Sequence, residues 1–113
     1  MPARKRRKVR WSEAALGDLI EIARYIAADS PRSAQATLRE LRSHAGSLAT
    51  MPKRGRIVPE TSWVGVRALR ELIVRPYRLI YRLDGEASVL VVAALDGRRD
   101  VEAVLLERLT RDS

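Results

Sequence analysis

The chain of 113 residues has no cysteine, no phenylalanine and a single histidine, His44. Without cysteine there can be no disulfide, no thiolate nucleophile and no Cys-ligated zinc, and a reducing compartment is suited. One imidazole cannot build the usual nitrogen-ligand metal centres either, so neither metal nor cofactor is expected. Aromatic residues are limited to two Trp and three Tyr, which leaves the core to Leu, Ile, Val and Ala. Long apolar runs are also missing. The longest, Val89 to Leu95, has seven residues, against about 20 for a membrane-spanning helix. The basic start Arg4-Lys-Arg-Arg-Lys8 is not followed by the apolar region of a secretory signal, so a cytoplasmic location and no membrane partner are expected.

Charge of one sign is abundant. Lys and Arg number 22 against 14 Asp and Glu, a net charge of +8 with a sequence pI near 11.0. Such a balance predicts an anionic partner, either nucleic-acid phosphate or an acidic protein segment. A hydrophobic fraction of 46% and a charged fraction of 32% describe one globular domain with a modest core. The expected division is a flexible basic arm over residues 1–8, where like charges repel, and a single domain over 9–110.

Val9-Arg10-Trp11 can open a strand, with Trp11 expected to pack beneath the helices. Ser12 is a suitable N-cap, followed by Glu13 in the first turn of a helix. Leu16, Leu19, Ile20, Ala23, Ile26 and Ala27 then follow helical spacing and predict one apolar stripe. Ser30-Pro31 starts a second helix, with Ala34, Leu38, Leu41, Ala45 and Leu48 as its apolar face, and Met51-Pro52 stops it. Two helices joined this tightly predict an antiparallel hairpin. His44 falls on the surface or boundary of the second helix and is assigned no role.

Beyond a basic loop, Lys53-Arg-Gly-Arg56, and a short Ile57-Val58 segment, the period changes to two. Val66–Val74 and Tyr77–Leu83 read as strands, the second with Tyr77, Leu79, Tyr81 and Leu83 on one face and Arg78, Ile80 and Arg82 on the other. Asp84-Gly85 marks a hairpin turn, and Ser88–Leu95 reads as a central strand covered on both faces. Asp100 caps a last helix over 101–109, which either closes the core or yields to a partner helix. The predicted class is α+β: an N-terminal strand, then a helical hairpin packed on a twisted, mainly antiparallel sheet of three to four further strands, then a short C-terminal helix.

Arg67, Arg70, Arg78 and Arg82 fall in or beside these strands, and Arg98 and Arg99 in the turn that follows. Isolated strand arginines are best read as solvated side chains whose stems cover aliphatic surface. Several in one sheet region predict a cationic contact surface instead. Arg98 and Arg99 are equally compatible with simple pairing to Asp96 and Asp100. Tyr77 and Tyr81 are expected in the core with their hydroxyls at its rim. Trp63 reads as a lid over the core or as a partner contact.

Arg70-Glu-Leu, Pro76-Tyr-Arg-Leu-Ile-Tyr-Arg-Leu83 and Leu95-Asp-Gly-Arg-Arg-Asp100, in this order of elements, resemble the RelE/ParE superfamily of bacterial toxins over about residues 9–110. The resemblance implies the toxin half of a type II toxin–antitoxin pair, neutralised by a cognate antitoxin with an acidic or amphipathic segment. ParE-like members poison DNA gyrase, whereas RelE-like members cleave mRNA on the ribosome. Many members carry a His before the Gly-Arg-Arg-Asp turn, where this chain has Asp96. Metal-free RNA cleavage needs a base and an acid, and here only Tyr81, Asp96 or a lysine could serve, with Arg82 among the phosphate contacts. The resemblance therefore leans to the gyrase-directed branch, with Arg67, Arg70, Arg78, Arg82, Arg98 and Arg99 as contacts for target or antitoxin. The alternatives are the ribosome-dependent endoribonuclease and a non-toxic nucleic-acid-binding module.

Overall fold

The computed structural model describes residues 6–61 and 69–111. The elements run β1 (Lys8–Trp11), α1 (Glu13–Ala27), α2 (Pro31–Gly46), β2 (Arg56–Ile57), β3 (Arg70–Val74), β4 (Tyr77–Asp84), β5 (Ser88–Asp96) and α3 (Val101–Arg111). They form a five-stranded sheet in the order β1-β5-β4-β3-β2. All neighbours are antiparallel except β1, which runs parallel to β5 with Val9 opposite Val89. The α+β class and element order expected from the sequence are those observed. Of the strand expected over Val66–Val74, residues 66–68 lie outside the described residues, as do Trp63 and Arg67.

Local signals explain most boundaries. The Ser12 side chain accepts from the Ala15 N–H at 3.1 Å, and Ser30 from the Ser33 N–H at 3.1 Å, so both helices start on satisfied caps. Pro31 stands in the first turn of α2, where its missing N–H costs nothing. Asp100 accepts from the Ala103 N–H at 3.1 Å to start α3. Gly85, with φ of 68°, supplies the left-handed residue that the β4–β5 connection requires. A cis peptide joins Arg75 to Pro76 in the β3–β4 turn.

The hairpin covers one sheet face. Ala15 and Leu19 of α1 and Leu41 and Ala45 of α2 pack with Leu72, Val74, Leu79, Tyr81, Val89, Val91 and Ala94, and Trp11 closes the margin. On the opposite face Val101 and Leu105 of α3 join Val58, Leu69, Ile80, Ala93 and Leu95, so α3 closes a second core. β5 is thus central and covered on both faces, as its aliphatic run implies. A register shift between Ile80 and Tyr81 leaves Val92 as an extra residue on β5 and moves the side-chain alternation by one. Beyond that bulge, Ala94 returns to the hairpin face and Asp96 lies opposite Tyr77.

The apolar stripe expected on α1 is displaced. Leu16 and Ile20 are 47% and 53% exposed, and the buried line runs instead through Ala15, Asp18 and Leu19. Asp18 is on this line for a reason. β1 ends at Trp11 opposite Val91, so the β5 edge beyond it has no strand neighbour on that side. The Asp18 carboxylate accepts the Ala94 N–H at 2.9 Å, and Arg108 of α3 donates to the Val92 carbonyl at 2.9 Å. Arg108 also forms a two-pronged ion pair with Asp18 at 2.7 and 2.9 Å. The pair satisfies an otherwise open strand edge and ties α1, β5 and α3 together.

Candidate functional site

The strand alternation distributes the expected contact arginines among separate places. Arg70 shares the hairpin face with its cross-strand neighbour Tyr81. Its guanidinium donates to the Gly55 carbonyl at 2.8 Å and, at 3.4 Å, to that of Lys53, holding the 53–55 loop. Tyr81 is fully buried; its hydroxyl donates to the Pro52 carbonyl at 2.7 Å and accepts the Gly55 N–H at 3.0 Å. Burial raises the Tyr81 pKa. A Cβ on Gly55 would lie 2.5 Å from the Glu71 carbonyl oxygen and 2.7 Å from this hydroxyl, so the close approach demands glycine.

Arg78 lies on the opposite face, and its cation is engaged within the molecule. It donates through Nε to the Glu71 carboxylate and, at 2.7 and 2.8 Å, bidentately to Glu60. Glu71 is 1% exposed and also accepts from Arg56 Nε at 2.7 Å. The pairing raises the Arg78 pKa, and the hydrogen bond from Arg78 lowers that of Glu60. Neither carboxylate figured among the candidate residues. Arg78 is therefore a positioned, largely neutralised cation, and its charge reversal would set a third carboxylate against Glu60 and Glu71. Arg82 follows on the same face beside Leu90, and its Nε is buried without a partner among the described residues.

Arg98 and Arg99 are exposed at the turn between β5 and α3. The Asp96 carboxylate accepts from the Arg98 backbone N–H at 2.9 Å and from its guanidinium at 2.8 and 3.1 Å. These bonds lower the Asp96 pKa to about 2. The simple pairing expected of Arg98 therefore exists, yet its side chain remains 83% exposed. The Gly97 N–H donates to the Pro76 carbonyl at 2.8 Å, which seats this turn against the β3–β4 turn.

Two cavities share Arg98 as a wall. One, of about 380 Å³, lies between α1 and the sheet and is lined by Tyr25, Tyr77, Asp96 and Arg99 together with Glu21. The other, of about 460 Å³, is lined by Arg56, Arg75 and Arg78 beside Ile73. Tyr25 is 78% exposed at the mouth of the first, and burial raises the pKa of Tyr77 within it. This end of the sheet is the candidate site: exposed guanidiniums on a framework fixed by Asp96, Glu60 and Glu71. It brings together Arg78, Arg98 and Arg99, and excludes Arg70 and the Tyr81 hydroxyl. Arg56 and Arg75 are further members beyond the six expected contacts; Arg75 stands in the arginine-rich strand stretch that the sequence marks as cationic, whereas Arg56 reads only as part of a basic loop.

A small sheet with a helical hairpin on one face and a cationic end is the frame that the resemblance to the RelE/ParE toxins implies. The family described as the ParE toxin of the type II system parDE matches residues 9–101. Toxin RelE2 of Caulobacter vibrioides is 41% identical over 85 residues, which cover 74% of this chain and 89% of that protein. Putative toxin Y4kP of Sinorhizobium fredii is 32% identical over 89 residues, 77% of this chain and 86% of that one. Among solved structures, the chromosomal ParDE system of Pseudomonas aeruginosa aligns with a TM-score of 0.63 at 18% identity, covering 80% of this chain and 95% of that chain. The RelBE2 toxin–antitoxin complex of Mycobacterium tuberculosis aligns at 0.54 and 21% identity, covering 85% and 97%. The last two matches bear on the fold alone. The chain belongs to the ParE toxin family, within the RelE/ParE superfamily.

Proposed function

We propose that this toxin acts on DNA gyrase and is held inactive by a cognate antitoxin. The observation that carries the reading is the state of the two candidate proton-transfer groups. The Tyr81 hydroxyl is enclosed and committed to Pro52 and Gly55. Asp96 is held ionised by Arg98, with a pKa near 2, which makes it a poor general acid at neutral pH. What remains at the cationic end is suited to contact: exposed Arg98 and Arg99, with Arg75 beside them. Arg67, Arg70, Arg78 and Arg82 stay in the proposal as wider contacts or supports, Arg78 by holding the framework.

For the antitoxin, the outer side of α1 supports a second contact. Leu16, Ile20 and Ala23 with Trp11 and Leu38 line an open apolar groove of about 460 Å³, rimmed by Arg24 and Arg42. An amphipathic helix with acidic flanks complements both the apolar floor and the basic rim. The two solved structures of similar fold are of toxin–antitoxin systems, which supports a partner of this kind. One observation favours a second reading: the relative at 41% identity is called RelE2, a name shared with the messenger-cleaving branch.

Induction of the full chain in a bacterium, with pulse labelling of DNA and protein synthesis, separates the two. Early arrest of DNA synthesis, relieved in the Arg98→Glu/Arg99→Glu variant, is the expected result. Early arrest of translation with cleaved messages would transfer the assignment to the endoribonuclease.

A further inference from the structure

The excess of positive charge lies in two short stretches of the chain. Residues 4–10 carry Arg4, Lys5, Arg6, Arg7, Lys8 and Arg10, and residues 53–56 carry Lys53, Arg54 and Arg56. Those nine leave 13 of the 22 basic residues against all 14 acidic ones, a balance of −1. The two segments therefore account for the whole net charge of +8.

The fold brings the described part of the first stretch beside Lys53 and Arg54. The Arg7 N–H donates to the Ala49 carbonyl at 2.8 Å, and its guanidinium donates to the Gly85 carbonyl at 2.8 Å. Arg54 donates to the Ser47 hydroxyl at 2.6 Å. An open cavity of about 630 Å³ lies between them, with Lys53 on its wall and Glu86 as its one acidic lining residue among those described. Arg7 and Arg54 are thus held by neutral acceptors, unlike Arg56, Arg78, Arg98 and Arg108, each of which meets a carboxylate. Arg6, Lys8, Arg10 and Lys53 are exposed and form no ion pair among the described residues. β1 is an edge strand, and its alternation sets Lys8 and Arg10 on the face opposite Val9 and Trp11. Cations therefore flank the edge on both sides.

Edge lysines and arginines also discourage strand addition between chains, and that role would need only one or two. Six uncompensated cations around one edge exceed it. An acidic protein segment would need apolar anchors to gain affinity, and only Met51 and Pro52 offer any. A nucleic-acid backbone needs none, because released counterions supply the binding free energy. Single strands are bound through aromatic stacking platforms, and Trp11, the aromatic residue of this strand, is partly buried on the helical-hairpin side, away from the face that carries Lys8 and Arg10. We propose that the β1 edge and the 51–54 loop form a sequence-independent docking surface for the backbone of duplex DNA, separate from the Arg98 end.

Binding of the full chain to a 20-base-pair duplex of arbitrary sequence, followed by fluorescence anisotropy between 50 and 200 mM salt, tests this without gyrase or antitoxin. About five phosphate contacts predict a fall in affinity of roughly 500-fold across that range. Lys53→Gln/Arg54→Gln should lower the log–log salt slope by about 2. Arg32→Gln/Arg39→Gln, an equal charge change on the exposed side of α2, should leave the slope unchanged. Equal loss in both double variants, no binding at 50 mM salt, or tighter binding to the single strand would overturn the proposal. So would competition by polyglutamate as effective as that by DNA at equal charge. Loss of gyrase action alone would leave these results unaffected.

Discussion

Beneath the helical hairpin the sheet presents Leu72, Val74, Leu79, Val89 and Val91, together with the enclosed Tyr81 hydroxyl, which loop backbone satisfies. Towards α3 the same strands present Ile80, Ala93 and Leu95, but beside them a Glu71 carboxylate that is 1% exposed and held by two arginines. The hairpin face depends on area removed from water and tolerates little polarity. The α3 face carries an ionic framework whose desolvation is offset only while every member is present. An ion network is a weak source of net stability but a good source of fixed geometry, and it lies at the end where Arg98 and Arg75 face solvent. One face holds the fold and the other sets the position of charges.

The largest effect expected from breaking this arrangement is that of Arg78→Ala. It leaves Glu71 with Arg56 alone and Glu60 without its bidentate partner, and should cost about 3–5 kcal/mol in denaturant unfolding. A cost below that of the next variant would show the network to be dispensable and the contrast between faces mistaken. Tyr81→Phe retains the ring but orphans the Pro52 carbonyl and the Gly55 N–H, and should cost about 1–3 kcal/mol. Because the phenol is not assigned to chemistry, this variant should keep its toxicity wherever it is folded.

The smallest effect concerns acid. Glu60 and Asp96 have folded pKa values below their ordinary values of 4.5 and 3.8, Asp96 at about 2. Their contribution to stability is complete above those ordinary values and is lost as pH falls through the lower folded ones. The unfolding temperature should therefore decline between roughly pH 4.5 and 2, and Glu60→Gln and Asp96→Asn should each flatten the curve. The Asp96–Arg98 pair is exposed, so salt should erase its share first. A curve unchanged by either substitution would remove the ionic framework from the account of acid stability.

Much of the architecture was legible in the chain. Ser12, Ser30 and Asp100 mark helix starts because a cap is a local interaction, and the alternation of Tyr77 to Leu83 separates the two faces because a strand has a period of two. The family resemblance in the second half was legible for the same reason, since its motifs are contiguous. The anionic partners were not. Asp18 lies one position from Leu19 on the inward line of α1, yet its role depends on Ala94 and Arg108, which are 76 and 90 residues away. Glu71 follows Arg70 and so faces the other way, towards Arg56 and Arg78; cross-strand register would have revealed it, but register is not a local property. The outward turn of Leu16 and Ile20 follows from the same gap, because Asp18 fixes which side of α1 is buried.

β1 has one strand neighbour, β5, and Lys8 meets Ser88, 80 positions further along the chain. The β3–β4–β5 meander, by contrast, is joined by short turns and closes small loops. Chain-closure entropy favours the near contacts first. The molecule should therefore assemble from its second half, with the earliest-made strand seated last and the Asp18–Arg108 clasp closing behind it. Refolding rates should accordingly respond to substitutions at Leu79 or Val91 and hardly at all to substitutions at Val9, where the change should appear in the unfolding rate.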